Sequence, residues 1–98
     1  MSGDERRTLT ARQIESEGLS DWRVLFAMLH ARFRTGDFAT GLKLVNLVGE
    51  AAEAANHHPD IALSWNAVTV RWWTHVKRAI TDSDVELARR TDELAEVH

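Results

Sequence analysis

The fold is decided by the stretch Glu53-Ala-Ala-Asn-His-His-Pro-Asp60, which lies just past the middle of the chain. Pro59 lacks a backbone N–H and disfavours helical angles in the residue before it, so a helix that reaches this stretch ends within it. Two adjacent imidazoles, His57 and His58, stand at that end, and a third, His75, follows in a later segment. The stretch therefore marks both a helix boundary and a candidate site for proton transfer.

A long apolar helix is predicted to lead into this stretch, from about Phe38 to about Asn56. Apolar side chains recur there at three- and four-residue steps, and Asp37 is placed to act as its N-cap. Gly41 and Gly49 lie on one side of the helix and lower its propensity. The two glycines predict that the helix approaches a sheet or a partner helix closely.

A hairpin is predicted to follow the proline, with arms at about Ile61 to Trp65 and Val68 to His75 and a turn near Asn66. Successive side chains of a strand point to opposite faces of the sheet. In the second arm one face carries Val68, Val70, Trp72 and Thr74, and the other carries Thr69, Arg71, Trp73 and His75.

The remaining elements complete an α+β fold. A capping box at Thr10 predicts a short first helix, and period-two apolar residues between Trp22 and Arg34 predict two short strands with no clear turn position. A second capping pattern, from Thr81 to Asp84, begins the last helix. The predicted order is α-β-β-α-β-β-α, with a four-stranded antiparallel sheet and helices packed on one face.

Size and composition narrow the class of protein. The 98 residues predict one domain over residues 8–98, preceded by a disordered polar tail over residues 1–7. The absence of cysteine excludes disulfides, and the formal charge of -3 disfavours nucleic acid as a partner. No apolar run approaches the roughly 18 residues of a membrane span, so no membrane partner is expected and the predicted location is the cytoplasm.

Several residues near the histidines have both a chemical and a structural interpretation. Glu53 stands four residues before His57, the separation at which a carboxylate touches and polarises an imidazole, although it is equally compatible with a solvated position. Histidines beside a proline also commonly cap the carbonyls of a helix end. Asp84 has the position of the acidic member of the Thr81 capping box, and Trp73 is placed at a surface, an interface or a ligand platform.

A metal site is not predicted. Adjacent histidines diverge from a helix end, and the His-x3-His spacing of helical zinc sites is absent. The chain also lacks a P-loop, a Gly-x-Gly-x-x-Gly motif and a nucleophilic cysteine, so neither nucleotide chemistry nor cysteine catalysis is supported.

The pattern of these residues resembles the pterin-4a-carbinolamine dehydratases, and in particular their bacterial members. The matching positions are Glu53, His57, His58, Pro59, Trp65, Thr74, His75, Asp84 and Ala88. The resemblance covers about residues 8 to 97. It implies an antiparallel sheet backed by helices, assembly as a homodimer or homotetramer, and no metal or organic cofactor.

The resemblance also implies a hydro-lyase reaction: dehydration of 4a-hydroxytetrahydropterin to the quinonoid dihydropterin, which supports pterin recycling after aromatic amino acid hydroxylation. His57 would be the main acid/base group and His75 the second, while His58 and Glu53 orient the pterin or tune His57. Pro59, Trp73 and Asp84 would complete the substrate site. Which imidazole acts as acid and which as base stays open.

One segment departs from the family. Relatives usually carry an acidic residue and a glycine-containing turn after the strand histidine, whereas this chain has Val76-Lys-Arg-Ala-Ile80. This departure favours an alternative function, in which the same fold serves as a binding or scaffold protein with weakened catalysis.

Overall fold

The structure, a computed structural model, describes residues 6–96 and has the predicted α+β architecture and element order. Three helices and four strands follow one another in the chain. They are α1 (Ala11–Glu15), β1 (Arg23–Leu25), β2 (Met28–Arg34), α2 (Phe38–Ala55), β3 (Asp60–Ser64), β4 (Ala67–Trp72) and α3 (Asp82–Glu96). None of these helices within residues 6–96 is long and apolar enough to cross a membrane.

The sheet is antiparallel throughout, in the strand order β1-β2-β4-β3. The first hairpin turns at Phe26 and Ala27, whose φ values are 51° and 60°. Positive φ at both central residues matches the right-handed twist of the flanking strands. No glycine or asparagine marks this turn, which is why the sequence left its position open.

The core lies between the sheet and the helices. Val68, Val70 and Trp72 of β4 are fully buried on the helix side, as the alternating pattern predicted. The predicted second arm is too long, because β4 ends at Trp72 and the chain then turns. Thr74 instead forms an isolated bridge with Ala79.

Helix α2 begins and ends as the sequence indicates. The Asp37 carboxylate accepts a hydrogen bond from the backbone N–H of Thr40 at 2.7 Å, and this bond lowers the pKa of Asp37. At the other end Asn56 adopts the left-handed conformation, with φ 51°.

The close approach predicted from the two glycines of α2 holds at one of them. A Cβ on Gly41 would lie 2.8 Å from Leu63 Cδ1 and 3.3 Å from Val68 Cγ2, so α2 presses on β3 and β4 there. At Gly49 a Cβ would meet nothing within 4 Å, so α2 does not approach the sheet of the same chain there. Close approach of a partner helix at Gly49 stays a prediction.

The start of the described chain runs beside the start of α3. The Leu9 N–H donates to the Ile80 carbonyl at 2.9 Å, and the Asp82 N–H donates to the Arg7 carbonyl at 3.0 Å. Of the predicted tail, residues 1–5 lie outside the described residues, while Arg6 and Arg7 take defined positions against the domain. This arrangement brings Arg6 to the end of α2.

Candidate active site

The position of His57 follows from how α2 ends. The backbone N–H of His57 donates a hydrogen bond to the Ala52 carbonyl at 3.0 Å, and Asn56 between them is left-handed. Helices commonly end in this way. The chain turns sharply there, and the His57 residue becomes 94% buried, with 6% of its surface exposed. The imidazole points inward and caps no helix carbonyl.

The two ring nitrogens of His57 have different partners. Nε2 lies 2.7 Å from Asp84 Oδ1, and Nδ1 lies 2.9 Å from a guanidinium nitrogen of Arg6. A guanidinium can only donate, so Nδ1 accepts and Nε2 carries the proton that it donates to Asp84. The Trp72 ring, 5.8 Å away between centroids, supports the imidazole. His57 is therefore held as one neutral tautomer.

Asp84 serves two purposes at once. Oδ2 accepts hydrogen bonds from the Thr81 backbone N–H at 2.8 Å and from the Thr74 hydroxyl at 2.7 Å, while Oδ1 faces His57. The residue is fully buried. One oxygen of Asp84 therefore accepts from the start of α3, as the capping interpretation predicted, and the other contacts His57. A role for Asp84 at a substrate site stays a prediction.

Glu53 contacts a different histidine from the one expected. Its Oε2 lies 2.5 Å from His58 Nε2, whereas His57 turns away from it. The expectation placed Glu53 and His57 on one helix face, but α2 ends at Ala55 and the left-handed Asn56 turns His57 off that face. The Glu53 and His58 side chains are 78% and 53% exposed, so their pairing contributes little to stability.

His75 lies on the other side of the cleft and stacks on Trp73. The two ring centroids are 4.3 Å apart, with an angle of 35° between planes. Trp73 Nε1 is buried and has no hydrogen-bond partner among residues 6–96. An unsatisfied buried donor costs free energy, so an acceptor that reached this N–H would stabilise the protein.

The turn after His75, where the sequence departs from the family pattern, is closed by backbone hydrogen bonds. The Thr74 N–H donates to the Ala79 carbonyl at 2.9 Å, and Arg78 adopts φ 50°. Arg78 thus takes a left-handed conformation that glycine would adopt without strain.

These side chains surround one small cleft of about 150 Å³. Its lining residues are Arg6, Asn56, His57, His58, Trp73, His75 and Val76. The structure therefore brings the three predicted histidines and Trp73 together. Asp84 stands behind His57, Glu53 reaches the cleft through His58, and Pro59 is not among the lining residues.

Arg6 is the site residue that sequence reasoning missed. It lines the 150 Å³ cleft and also a neighbouring depression of about 510 Å³, which shares Asn56 and His57 with the cleft. Its segment reads as a polar tail, and nothing local to it signals a contact with a residue 51 positions away. Within residues 6–96, no group of three or more His, Asp or Glu side chains is arranged to hold a metal ion.

The fold places the chain in the class of α+β proteins that have a four-stranded antiparallel sheet with helices on one face. Its candidate site is a histidine-lined cleft at the end of the long helix. The profile of one family, described as pterin 4 alpha carbinolamine dehydratase, matches residues 6–94. The chain belongs to this family.

Individual relatives agree with the family assignment. Proteins provisionally named pterin-4-alpha-carbinolamine dehydratase include one from Chlorobium limicola, 40% identical over 82 residues, which cover 80% of this chain and 73% of the relative. Another, from Picosynechococcus, is 37% identical over 89 residues, which cover 91% and 97%.

Solved structures show the same fold. A transcriptional coactivator/pterin dehydratase from Brucella melitensis superposes with a TM-score of 0.85 at 25% identity, covering 91% of this chain and 99% of that one. A pterin dehydratase-like protein identified as a RuBisCO assembly factor in the alpha-carboxysome gives a TM-score of 0.63 at 21% identity, covering 76% and 86%. The second likeness concerns the fold alone.

Proposed function

We propose that the protein dehydrates 4a-hydroxytetrahydropterin to the quinonoid dihydropterin by general acid/base catalysis with its histidines. The observation that carries the proposal is the meeting of three imidazoles at one cleft in a member of this family. Imidazole can give and take protons near neutral pH, and the reaction needs both.

The proposed roles follow from the surroundings of each ring. His57 Nδ1 accepts a hydrogen bond from a cleft residue, so once Arg6 withdraws it can take the proton from N5 of the pterin. Asp84, bonded to the opposite nitrogen, would stabilise the imidazolium that forms. His75 is exposed, and as an imidazolium it can protonate the hydroxyl that leaves C4a as water. Both histidines then regain their starting states by exchange with solvent.

Trp73 and the His58–Glu53 pair would position the substrate. The indole presents a flat ring at the cleft wall, and its Nε1–H, which is buried in this structure, could donate to an acceptor of the pterin once the groups covering it move aside. His58, held by Glu53 at 2.5 Å, lines the same cleft. No metal or organic cofactor enters this mechanism.

The test is the rate of carbinolamine loss with the unmutated protein and with His57→Ala and His75→Ala. Removing a general acid or base costs about 10²- to 10⁴-fold, so each variant should lose most of the catalysed rate. His30→Ala is the matched control, because His30 lies on β2 outside the cleft lining. An unmutated protein no faster than the uncatalysed reaction contradicts the proposal.

A second candidate is a binding or scaffold protein on the same fold with weakened catalysis. Arg6 on His57 and the stacking of Trp73 on His75 both narrow the cleft, and these contacts favour this candidate.

In either case we expect a cytoplasmic homodimer or homotetramer. Exposed apolar side chains such as Phe26, 93% exposed, and Trp65, 71% exposed, are suited to such contacts.

A further inference from the structure

The sheet face opposite the helices carries a row of charged side chains. Residues directly paired across antiparallel strands lie on the same face. Arg23 of β1 pairs with His30 of β2, His30 pairs with Arg71 of β4, and Arg71 pairs with Asp60 of β3. One row therefore crosses all four strands with two arginines, a histidine and one carboxylate.

Two further arginines of β2 extend this surface, which we call the arginine face: Arg23, Arg32, Arg34 and Arg71. The residues paired beside Arg32 and Arg34 on β4 are Thr69 and Ala67, which are too small to cover a guanidinium. Arg23, Arg32 and Arg34 are exposed, and Arg71 is half-buried. Within residues 6–96, none of the four guanidinium groups forms a hydrogen bond or an ion pair.

The charge of the chain is distributed unevenly around this face. The four arginines and Asp60 together carry +3, although the whole chain carries -3, so the remaining residues carry -6. The field acts on His30, whose pKa is lowered first by burial and then by Arg71 and Arg23. Asp21 lies at the border, where it lines a depression of about 320 Å³ with Arg23, His30 and Arg32.

The side chains of this face favour a short acidic peptide over other anionic partners. Guanidinium groups bind carboxylates through two parallel hydrogen bonds. Arg32 and Arg34 stand two residues apart on a strand, about 7 Å, which is also the spacing of alternate side chains in an extended peptide. A longer polyanion would extend over the acidic remainder of the surface and be repelled. The paired positions of this face hold no Phe, Tyr or Trp on which a base could stack.

We propose that the arginine face is a docking surface for a short, extended, acidic segment of a partner protein. The proposal rests on the sheet register and the charge distribution, and it is independent of the dehydratase reaction.

The test is fluorescence anisotropy with a labelled decapeptide of alternating Glu and Ser, compared with the same peptide in which Gln replaces Glu. The Glu peptide should bind, and added salt should weaken it. In the double variant Arg32→Gln/Arg34→Gln, affinity should fall by about tenfold. The matched control is Arg12→Gln/Lys43→Gln, which removes the same charge from exposed positions on α1 and α2 and should leave affinity within about twofold.

A local measurement checks where the peptide sits. In an NMR titration of the histidine rings, with the His30 signal assigned from His30→Gln, the bound Glu peptide should raise the pKa of His30. Bound carboxylates would offset the field of Arg23 and Arg71.

Four results would overturn the proposal. They are no binding of the Glu peptide, equal loss of affinity in both double variants, an unchanged His30 titration, and tighter binding of a ten-nucleotide oligouridylate than of the Glu peptide. Melting temperatures of both double variants, expected to match the unmutated protein, control for unfolding.

Discussion

The two ring nitrogens of His57 have different hydrogen-bond partners and therefore different roles. Asp84 holds Nε2–H in the interior, and Nδ1 is left on the cleft side, where Arg6 occupies it in this structure. The tautomer follows from the donors alone, because Arg6 cannot accept a hydrogen bond. A buried carboxylate behind an imidazole both orients the ring and stabilises its protonated form.

The variant Asp84→Asn should destabilise the fold by about 1–3 kcal/mol, measured by urea unfolding, because asparagine has only one acceptor oxygen: if that oxygen accepts from Thr81 and Thr74, the NH₂ group faces the N–H of His57 and cannot accept from it. Asp82→Asn is the control. Asp82 lies at the start of α3, and within residues 6–96 its carboxylate accepts a single hydrogen bond, from the backbone N–H of Arg7. Its effect should stay below about 1 kcal/mol. Equal losses in the two variants would contradict the role assigned to Asp84.

Among the elements, α2 determines how closely the helical layer approaches the sheet. It contacts β3 and β4, and at the buried Gly41 a Cβ would lie 2.8 Å from Leu63 Cδ1. Gly49, two turns later, has open space beside it. Two glycines that are alike in sequence thus have opposite packing environments.

The substitutions Gly41→Ala and Gly49→Ala should therefore change stability in opposite directions. Alanine at position 49 should stabilise the protein by roughly 0.5–1 kcal/mol through helix propensity. At position 41 the new methyl group would displace Leu63 and Val68, costing about 1 kcal/mol or more. Thermal unfolding of the two variants, each serving as control for the other, measures both signs. A gain at position 41 would show that the α2–sheet contact is looser than described.

Across the whole molecule, contacts between distant segments tie the layers together. The Trp22 indole N–H, just before β1, donates to Asp92 Oδ1 of α3 at 2.9 Å. Burial raises the pKa of Asp92, with Asp21 and Glu96 adding to the increase, while Trp22 and Arg89 oppose it. The folded state therefore binds a proton at Asp92 more readily than the unfolded chain does.

This shift predicts a pH-dependent gain from Asp92→Asn. With a raised folded pKa, the stabilisation by protonated Asp92 is fully present below the unfolded pKa and is lost as pH rises through the folded pKa. Asparagine still accepts from Trp22 but carries no charge. The variant should be more stable than the unmutated protein at pH 7, and the difference should vanish near pH 3. Glu86→Gln, at an exposed position of α3, controls for the loss of one negative charge from the same helix, and a less stable Asn variant at pH 7 would reverse the conclusion.

Most of the fold could be predicted from patterns among residues that are close together in the sequence. The 3.6-residue period of α2, the alternation in β4 and the N-cap Asp37 depend on neighbours in the chain, and these elements were predicted correctly. The start of α3 was also predicted correctly, and there the Asp84 side chain accepts from the Thr81 N–H. The predicted end of β4 was three residues too late, because the bridge from Thr74 to Ala79 depends on where the chain turns.

The sequence identified the residue types of the site, its position at a helix end and the family to which they belong. Only the tertiary structure decided the partners: Asp84 and Arg6 for His57, Glu53 for His58, and the arginine face shared by strands far apart in the chain. The physical reason is that hydrogen bonds and charges act through space over a few ångströms. The left-handed backbone of Asn56 also ends α2, so the side chains of His57 and His58 no longer follow the helical spacing on which sequence reasoning relies.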